Sequence, residues 1–343
     1  MGECLIVRRG GESYELPTLD ASYPKDATVT AAANGSASFL VSIKTPGRPA
    51  EYTYQWYRNG AAVPGAVTDS FTVTGLTSAG SYSIYCKVTN KAGSVNSRVA
   101  TLTVLSYLPA YTYSGSSNLI DDGGYNWRLK LLTSGTLTFS HLGSAGSKAV
   151  DVFLVGGGGG AGGDQWANYV GGGGGGYVKS ISSYVANRQT PYQIVIGAGG
   201  ERGTNGGSTT AFGQTAQGGF CGGGTAGPGG DGGSGGGGGG CPDGVNGYPR
   251  SGNGGSNGSN GLSGSGSSRV GAGGNGSGVS TREFGDPSGT LYSSGGAGKG
   301  ANSNYAKNGE GISGANSGCG ASIEPNSERT AGSGIVIIRN IRR

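Results

Sequence analysis

The sequence predicts an all-β protein in which one β-sandwich is followed by a second, the latter carrying inserted, packed polyglycine II helices. Three observations carry that expectation. Residues 25–105 alternate in the two-residue period of strands. The second half contains clean β-type runs, "VDVFLV", "GYVKSISSYV", "YQIVIG" and "GIVIIR". Those runs bracket the glycine-rich block on both sides, which embeds the glycine in a β fold.

Residues 1–24, "MGECLIVRRGGESYELPTLDASYP", read as a hairpin, because "RRGGE" supplies the glycines of a tight turn between two β-type runs. A lone hairpin is marginal in water. This one is therefore expected to pair with something else and to serve as an anchoring or assembly segment. In residues 25–105, "YQWYRNG" places Trp56 on a strand ahead of a turn, and "AGSYSIYCKVTN" places Cys86 on a later strand. That arrangement resembles an immunoglobulin-like domain, in which such a tryptophan packs between the sheets against the Cys86 position. The segment departs from the antibody pattern in having "FLVSI" where the partner cysteine belongs, and Ile84 two residues before Cys86. No disulfide is expected. Residues 106–118 read as a linker, and residues 119–343 as the glycine-rich domain. Its expected core is Leu129, Leu131, Leu137, Phe139, Val150, Val152, Leu154, Val178, Ile194, Ile196, Val336 and Ile338.

Glycine-rich segments are often flexible linkers, and "GGSNGSNGLSGSGSSRVGAGGNGSGVS" at 254–280 fits that description locally. The alternative is a bundle of extended helices with three residues per turn. These have no internal hydrogen bonds, so neighbouring helices must supply donors and acceptors. Fixing a glycine costs upwards of about 1–2 kcal/mol. A lattice of several helices on a β core can meet that cost, whereas one strand of glycine cannot. On this reading "VDVFLV" belongs to the sandwich and "GGGGGAGG" is the first rod leaving it.

The same junction imitates a dinucleotide-binding fingerprint, a strand followed by G-x-G-x-x-G. The helix that must follow is excluded, since Gly171 to Gly176 are consecutive glycines that each cost a helix about 1 kcal/mol. "GGAGKGA" likewise fails as a phosphate loop, with Ser293 in place of the first glycine and Gly300 in place of the magnesium-binding hydroxyl. The formal charge of +5 is small and scattered, which argues against nucleic acid. No apolar run reaches the length of a membrane span, and the start lacks the features of a signal peptide. Five cysteines, widely spaced, and one histidine, His141, argue against zinc or a disulfide framework and favour assembly in a reducing cytoplasm. No cofactor is expected, and without a nucleophile partner for His141 no enzyme activity is expected either.

The ordered set "VDVFLVGGGGGAGG…GGGGGGYVKS…YQIVIGAGG…GGSTTAFG…TREFGDPSGTLYSSGGAG…GSGIVIIR" is similar to the glycine-rich domains of phage and prophage tail proteins. Those in turn look like the polyglycine-helix adhesins at the tips of T-even-type tail fibres and like the glycine-rich extracellular module of the anaplastic lymphoma kinase family. The resemblance implies a virion protein, assembled in the host cytoplasm, that binds a host-surface glycan or protein through loops joining the glycine helices. It also implies attachment to other virion proteins and homo-oligomer formation. The competing expectation is a structural or decoration protein of head or tail without specific recognition. Side chains suited to recognition cluster in interruptions of the glycine: Trp166 and Tyr169 in "DQWANY", Tyr248 and Arg250 in "CPDGVNGYPRS", and Tyr305 and Lys307 in "NYAKNGE". "TREFGDPSGTLYSS" is expected to be structural, with Phe284, Leu291 and Tyr292 flanking a turn.

Overall fold

The computed structural model describes residues 6–9, 12–143, 149–163, 170–224, 227–236, 281–299, 313–323 and 328–341. They are all-β apart from one 3-10 turn, Glu283–Gly285. The chain divides into two compact units, Met1–Pro109 with Leu142–Ser147, and Ala110–His141 with Lys148–Arg343.

The first unit contains strands β1 (Ile6–Arg9), β2 (Glu12–Glu15), β3 (Thr18–Leu19), β4 (Ala27–Thr30), β5 (Ala37–Leu40) and β6 (Ile43–Thr45). They are followed by β7 (Thr53–Arg58), β8 (Ala61–Ala62), β9 (Ser70–Val73), β10 (Gly80–Asn90), β11 (Gly93–Asn96) and β12 (Ala100–Leu105). The main sheet has the order β4-β12-β10-β7-β8, with β11 on the side of β10. The pair β5–β9 packs against it through Phe39, Val41, Phe71 and Val73, which gives two layers around one core. Alternation along β10 buries Ile84, Cys86 and Val88 and turns Tyr85 and Lys87 outward. Cys86 lies directly across the ladder from Trp56, and both are fully buried. The Trp56 indole N–H donates to Thr68 O at 2.9 Å, and its ring sits 5.8 Å from that of Phe71. Apolar Phe39 and Val41 belong to the same buried cluster as Trp56 and Cys86. The hairpin β1–β2 pairs with no further strand among the described residues. Its base is tied down where Glu15 and Arg48 exchange backbone hydrogen bonds and Asn90 Nδ2 donates to Glu15 O.

The second unit contains β13 (Ala110–Tyr113), β14 (Ser117–Gly123), β15 (Asn126–Leu131), β16 (Gly135–His141), β17 (Ala149–Val155) and β18 (Val178–Val185). After them come β19 (Pro191–Ile194), β20 (Thr209–Ala211), β21 (Gln214–Ala216), β22 (Ser322–Ile323), β23 (Glu328–Arg329) and β24 (Ile335–Asn340). One sheet has the order β14-β15-β24-β17-β18 and the other β13-β16-β19. Residues 106–118, read above as a linker, therefore contain β13 and the start of β14. Short alternating pieces such as "AYTY" gain their order from pairing with β16.

All expected core residues of this unit are buried except Val178 and Ile196, which are half-buried. Trp127 joins them at the edge of the set. Phe153, Val155, Ile335 and Ile337, which alternate with expected core positions, are buried as well, in a second cluster with Tyr292. The neighbouring strands β17 and β24 are covered on both faces, which is why "VDVFLV" and "IVII" run unbroken instead of alternating.

Candidate functional site

Beyond the sheet, the chain continues in extended glycine rods: A (156–163), B (170–177), C (197–201), D (204–208), E (217–224), F (227–233), G (293–299), H (317–321) and I (330–334); after rod F the chain turns back, with Gly236 N donating to Gly230 O. Rod A prolongs β17. Its amides at Gly156, Gly159 and Gly162 donate to Tyr177, Gly174 and Gly171 of rod B, while Gly157 and Gly160 donate to Gly207 and Thr204 of rod D. Gly158 donates to Gly332 of rod I. In return, Gly219 and Gly222 of rod E, Gly200 of rod C and Ala321 of rod H donate to carbonyls of rod A. Partners recur every third residue, as three residues per turn require. Rod A is therefore ringed in the order B, E, D, C, I, H, and adjacent members of the ring also bond one another.

Close approach on every side explains the glycine. A Cβ built on Gly159 would stand 2.9 Å from Cys221 N, and one on Gly176 would stand 3.0 Å from Gly156 Cα, with carbonyl groups nearer still in both cases. Ala161 is the exception within rod A. It meets Val170 and Ala321 in a small buried cluster with Ala331 against it, at the end of the lattice remote from the sheet. Where a rod is lacking, a side chain substitutes for it: Asn205 Oδ1 accepts from Cys221 N at 2.9 Å, Thr209 Oγ1 accepts from Gly197 N at 3.0 Å, and Ser293 Oγ donates to Gly176 O.

The six rods around rod A alternate in direction, rods F and G run parallel to their neighbours B and H, and rod ends gather at that remote end. Rods A and B end there at Gly163 and Val170, C and D at Glu201 and Thr204, E and F at Gly224 and Gly227, and G at Lys299, whose amide donates to Val170 O. The pair β22–β23 joins rods H and I on the same side. One turn is described completely: Gly203, with φ +73°, donates to Ala161 O, and Thr204 N and Oγ1 both donate to Glu201 O. It presents Glu201, Arg202 and Thr204. Sequence reading passed over these three, although the charged break "ERGT" in a glycine run is the same signal that singled out "DQWANY".

Trp166, Tyr169, Tyr248, Arg250, Tyr305 and Lys307 lie outside the described residues. By chain connection, Trp166 and Tyr169 fall between Gly163 and Val170, and Tyr305 and Lys307 follow Lys299.

A cluster of ion pairs lies at the opposite end, on the outer face of the five-stranded sheet. Residues 281–292 form the expected hairpin around "GDPSG", with Glu283 N donating to Thr290 O and Tyr292 N to Thr281 O. Glu283, 2% exposed, is held by Arg128 at 2.5 Å and Lys130 at 3.6 Å. Arg128 also pairs with Asp122 at 2.8 Å. Hydrogen bonding to Asp122 and then to Glu283 raises the Arg128 pKa above the ordinary guanidinium value. Burial, followed by the Glu283 charge, pushes the Tyr292 phenol well above its usual range. Every charge here has a partner, so the cluster is built to hold structure and offers no free acid or base. Among the described residues no group of His, Cys, Asp or Glu is placed to hold a metal ion. Among the same residues no helix is long and apolar enough to cross a membrane. Among the described residues Cys86, Cys221 and Cys319 form no disulfide.

A β-sandwich bearing a hydrogen-bonded glycine lattice defines the class, and the family model described as the glycine-rich domain matches residues 133–340. The chain belongs to that family. No curated protein matches it. Among solved structures it is similar to SGBP-B of the Bacteroides ovatus mixed-linkage glucan utilization locus, in complex with a mixed-linkage heptasaccharide. That match has 10% identity and a TM-score of 0.20, and covers 60% of this chain and 66% of the other.

Proposed function

We propose that this chain is a structural protein of a bacteriophage particle, a tail-fibre or tail-tip component that attaches to a host-surface glycan or protein. The observation that carries the reading is the convergence of rod reversals at one end of a lattice whose backbone groups are mutually bonded. Loops on a rigid scaffold are favourable places for recognition, since little order has to be gained on binding. Trp166, Tyr169, Tyr305 and Lys307 connect to rod ends on that side, and Tyr248 and Arg250 belong to the long segment that follows rod F. Within this proposal the first unit, immunoglobulin-like in its Trp56–Cys86 arrangement, is a spacer, the β1–β2 hairpin attaches to other virion proteins, and the chain forms a homo-oligomer on a virion assembled in the host cytoplasm.

A purely structural role in head or tail is the second reading. It is favoured by the plain outer surface of the rods, among whose described residues Phe220 is the one large exposed hydrophobic. Replacing Trp166, Tyr248 and Tyr305 by Ala decides between them. Recognition predicts weaker adsorption to cells, by about 1 kcal/mol or more for at least one substitution, with the thermal midpoint unchanged. Unaltered adsorption of particles carrying the triple variant refutes recognition and leaves the structural role.

A further inference from the structure

The hairpin 281–292 covers the outer face of the sheet immediately before the chain enters rod G, and we infer that it is a registration clamp. Its charged clasp sets the position at which rod G docks on rods B and H. This inference concerns how the lattice is aligned and is independent of what the protein attaches to.

The clasp is complementary in sign. The hairpin supplies Glu283 and Asp286, and the sheet supplies Arg128 and Lys130 from β15 and Arg339 from β24. Arg339 Nη1 meets Asp286 Oδ2 at 2.6 Å, its Nε meets Asp151 of β17 at 3.2 Å, and its guanidinium lies 4.1 Å from the centre of the Phe284 ring. Phe284, held at φ +54°, and Tyr292 both pack on Phe153, at 5.6 and 5.5 Å between ring centres. Tyr292 Oη adds a 3.4 Å hydrogen bond to Glu283 Oε2. A slip of the hairpin along the sheet strands the buried Glu283 carboxylate away from its cations, a far larger penalty than the loss of an exposed pair.

That alignment is transmitted directly. Phe153 stands three residues before Gly156, where rod A begins, and Tyr292 is followed at once by Ser293, which turns the chain at φ +65°. Ser293 N then donates to Ser317 O of rod H, Gly296 N to Gly173 O and Lys299 N to Val170 O of rod B. Because every third amide must meet a carbonyl, an error at Ser293 displaces all three bonds together.

The test is limited trypsin digestion of the full chain carrying Glu283→Gln, which keeps the side-chain size and removes the charge. Cleavage after Arg282 in the clamp and after Lys299 at the far end of rod G is expected to accelerate at least tenfold over the unmodified protein. Cleavage after Arg202, in the turn between rods C and D, stays unchanged. Acceleration at Arg282 alone means the hairpin only covers the sheet. Equal acceleration at all three sites means general loss of stability, and no acceleration means the clasp is dispensable. Each of those three results overturns the inference. Asp286→Asn, which breaks the more exposed pair, gives the same pattern with a smaller ratio and carries the test if Glu283→Gln does not fold.

Discussion

Replacing Gly173 by alanine places one methyl group between rods A and B. The added Cβ would lie 2.6 Å from the Gly159 carbonyl carbon and 2.7 Å from Gly160 O, with Gly159 O closer still. All of these atoms are backbone, and rod A cannot yield because it is ringed by other rods. Restoring ordinary C···O contact of about 3.3 Å separates the two rods by roughly 1 Å. The bond from Gly159 N to Gly174 O, now 2.8 Å, is then lost, and those from Gly156 and Gly162 are weakened. With about 1–3 kcal/mol for each buried group left unsatisfied, and about 0.5–1 kcal/mol returned because alanine loses less backbone entropy than glycine, the net loss is about 3–5 kcal/mol. For a unit of this size that lowers the melting midpoint by roughly 6–20 °C. Gly224→Ala is the control, since nothing lies within 4 Å of its Cβ; it is expected to be neutral or slightly stabilising. Differential scanning calorimetry follows both variants, with the first unit as an internal standard whose own transition does not move. A folded Gly173→Ala protein with a midpoint within about 1 °C of the parent refutes the packed lattice, because such a change corresponds to well under 1 kcal/mol.

Asn316 sits at φ +59° and its Nδ2 donates to both Leu132 O at 2.7 Å and Gly334 O at 2.9 Å. Asn316→Ala therefore loses about 2–4 kcal/mol in urea titration, and Asn316→Gly, which relieves the φ strain, loses less; equal losses would show that backbone strain is immaterial there. Burial pushes the Cys86 thiol up to about 11, so the folded first unit retains a proton that the unfolded chain releases above about pH 8.5. Its stability consequently falls as pH rises from about 9 towards 11, and Cys86→Ala flattens that slope in denaturant titrations. A slope unchanged in the variant would remove Cys86 as its source. Under native conditions at neutral pH, alkylation followed by mass spectrometry is expected to label half-exposed Cys221 well before buried Cys86 and Cys319.

Much of this architecture is readable from residue order, and the reasons differ by element. Two-residue alternation located β10 and β12, and unbroken apolar runs located β17 and β24, because burial on one face or both leaves those distinct signatures. The rods follow from the cost of ordering glycine. Their outer faces are also legible in retrospect: Ala198 and Glu201, Asn205 and Ser208, and Gln217 and Phe220 are spaced by three and exposed, since only one side of a ring rod has room for a side chain. Ring order is not legible, because glycines are chemically identical and nothing in "GGGGGG" says which neighbour each will meet. The clasp escaped for another reason. Arg128 and Glu283 are 155 positions apart, and a carboxylate in "TREFGDP" reads as a solvated turn until the sheet beneath it is known. For the proposed recognition residues, residue order supplies the interruptions, and the fold supplies the rod ends to which three of those interruptions' flanks are joined.

Rod A is the unbroken continuation of β17, rod B leads into β18 and rod I into β24. A pull on the remote end of the lattice therefore enters the five-stranded sheet along the strand axes. It runs against the ladder in which Arg128 to Leu131 of β15 face Arg339 to Val336 of β24. Load applied in that direction strains all bonds of the ladder at once, where a pull across the sheet would open them singly. The joint between glycine and sheet is thereby arranged as a lap joint in shear, and its strength under tension scales with the overlap of β15 and β24, independently of the length of the rods.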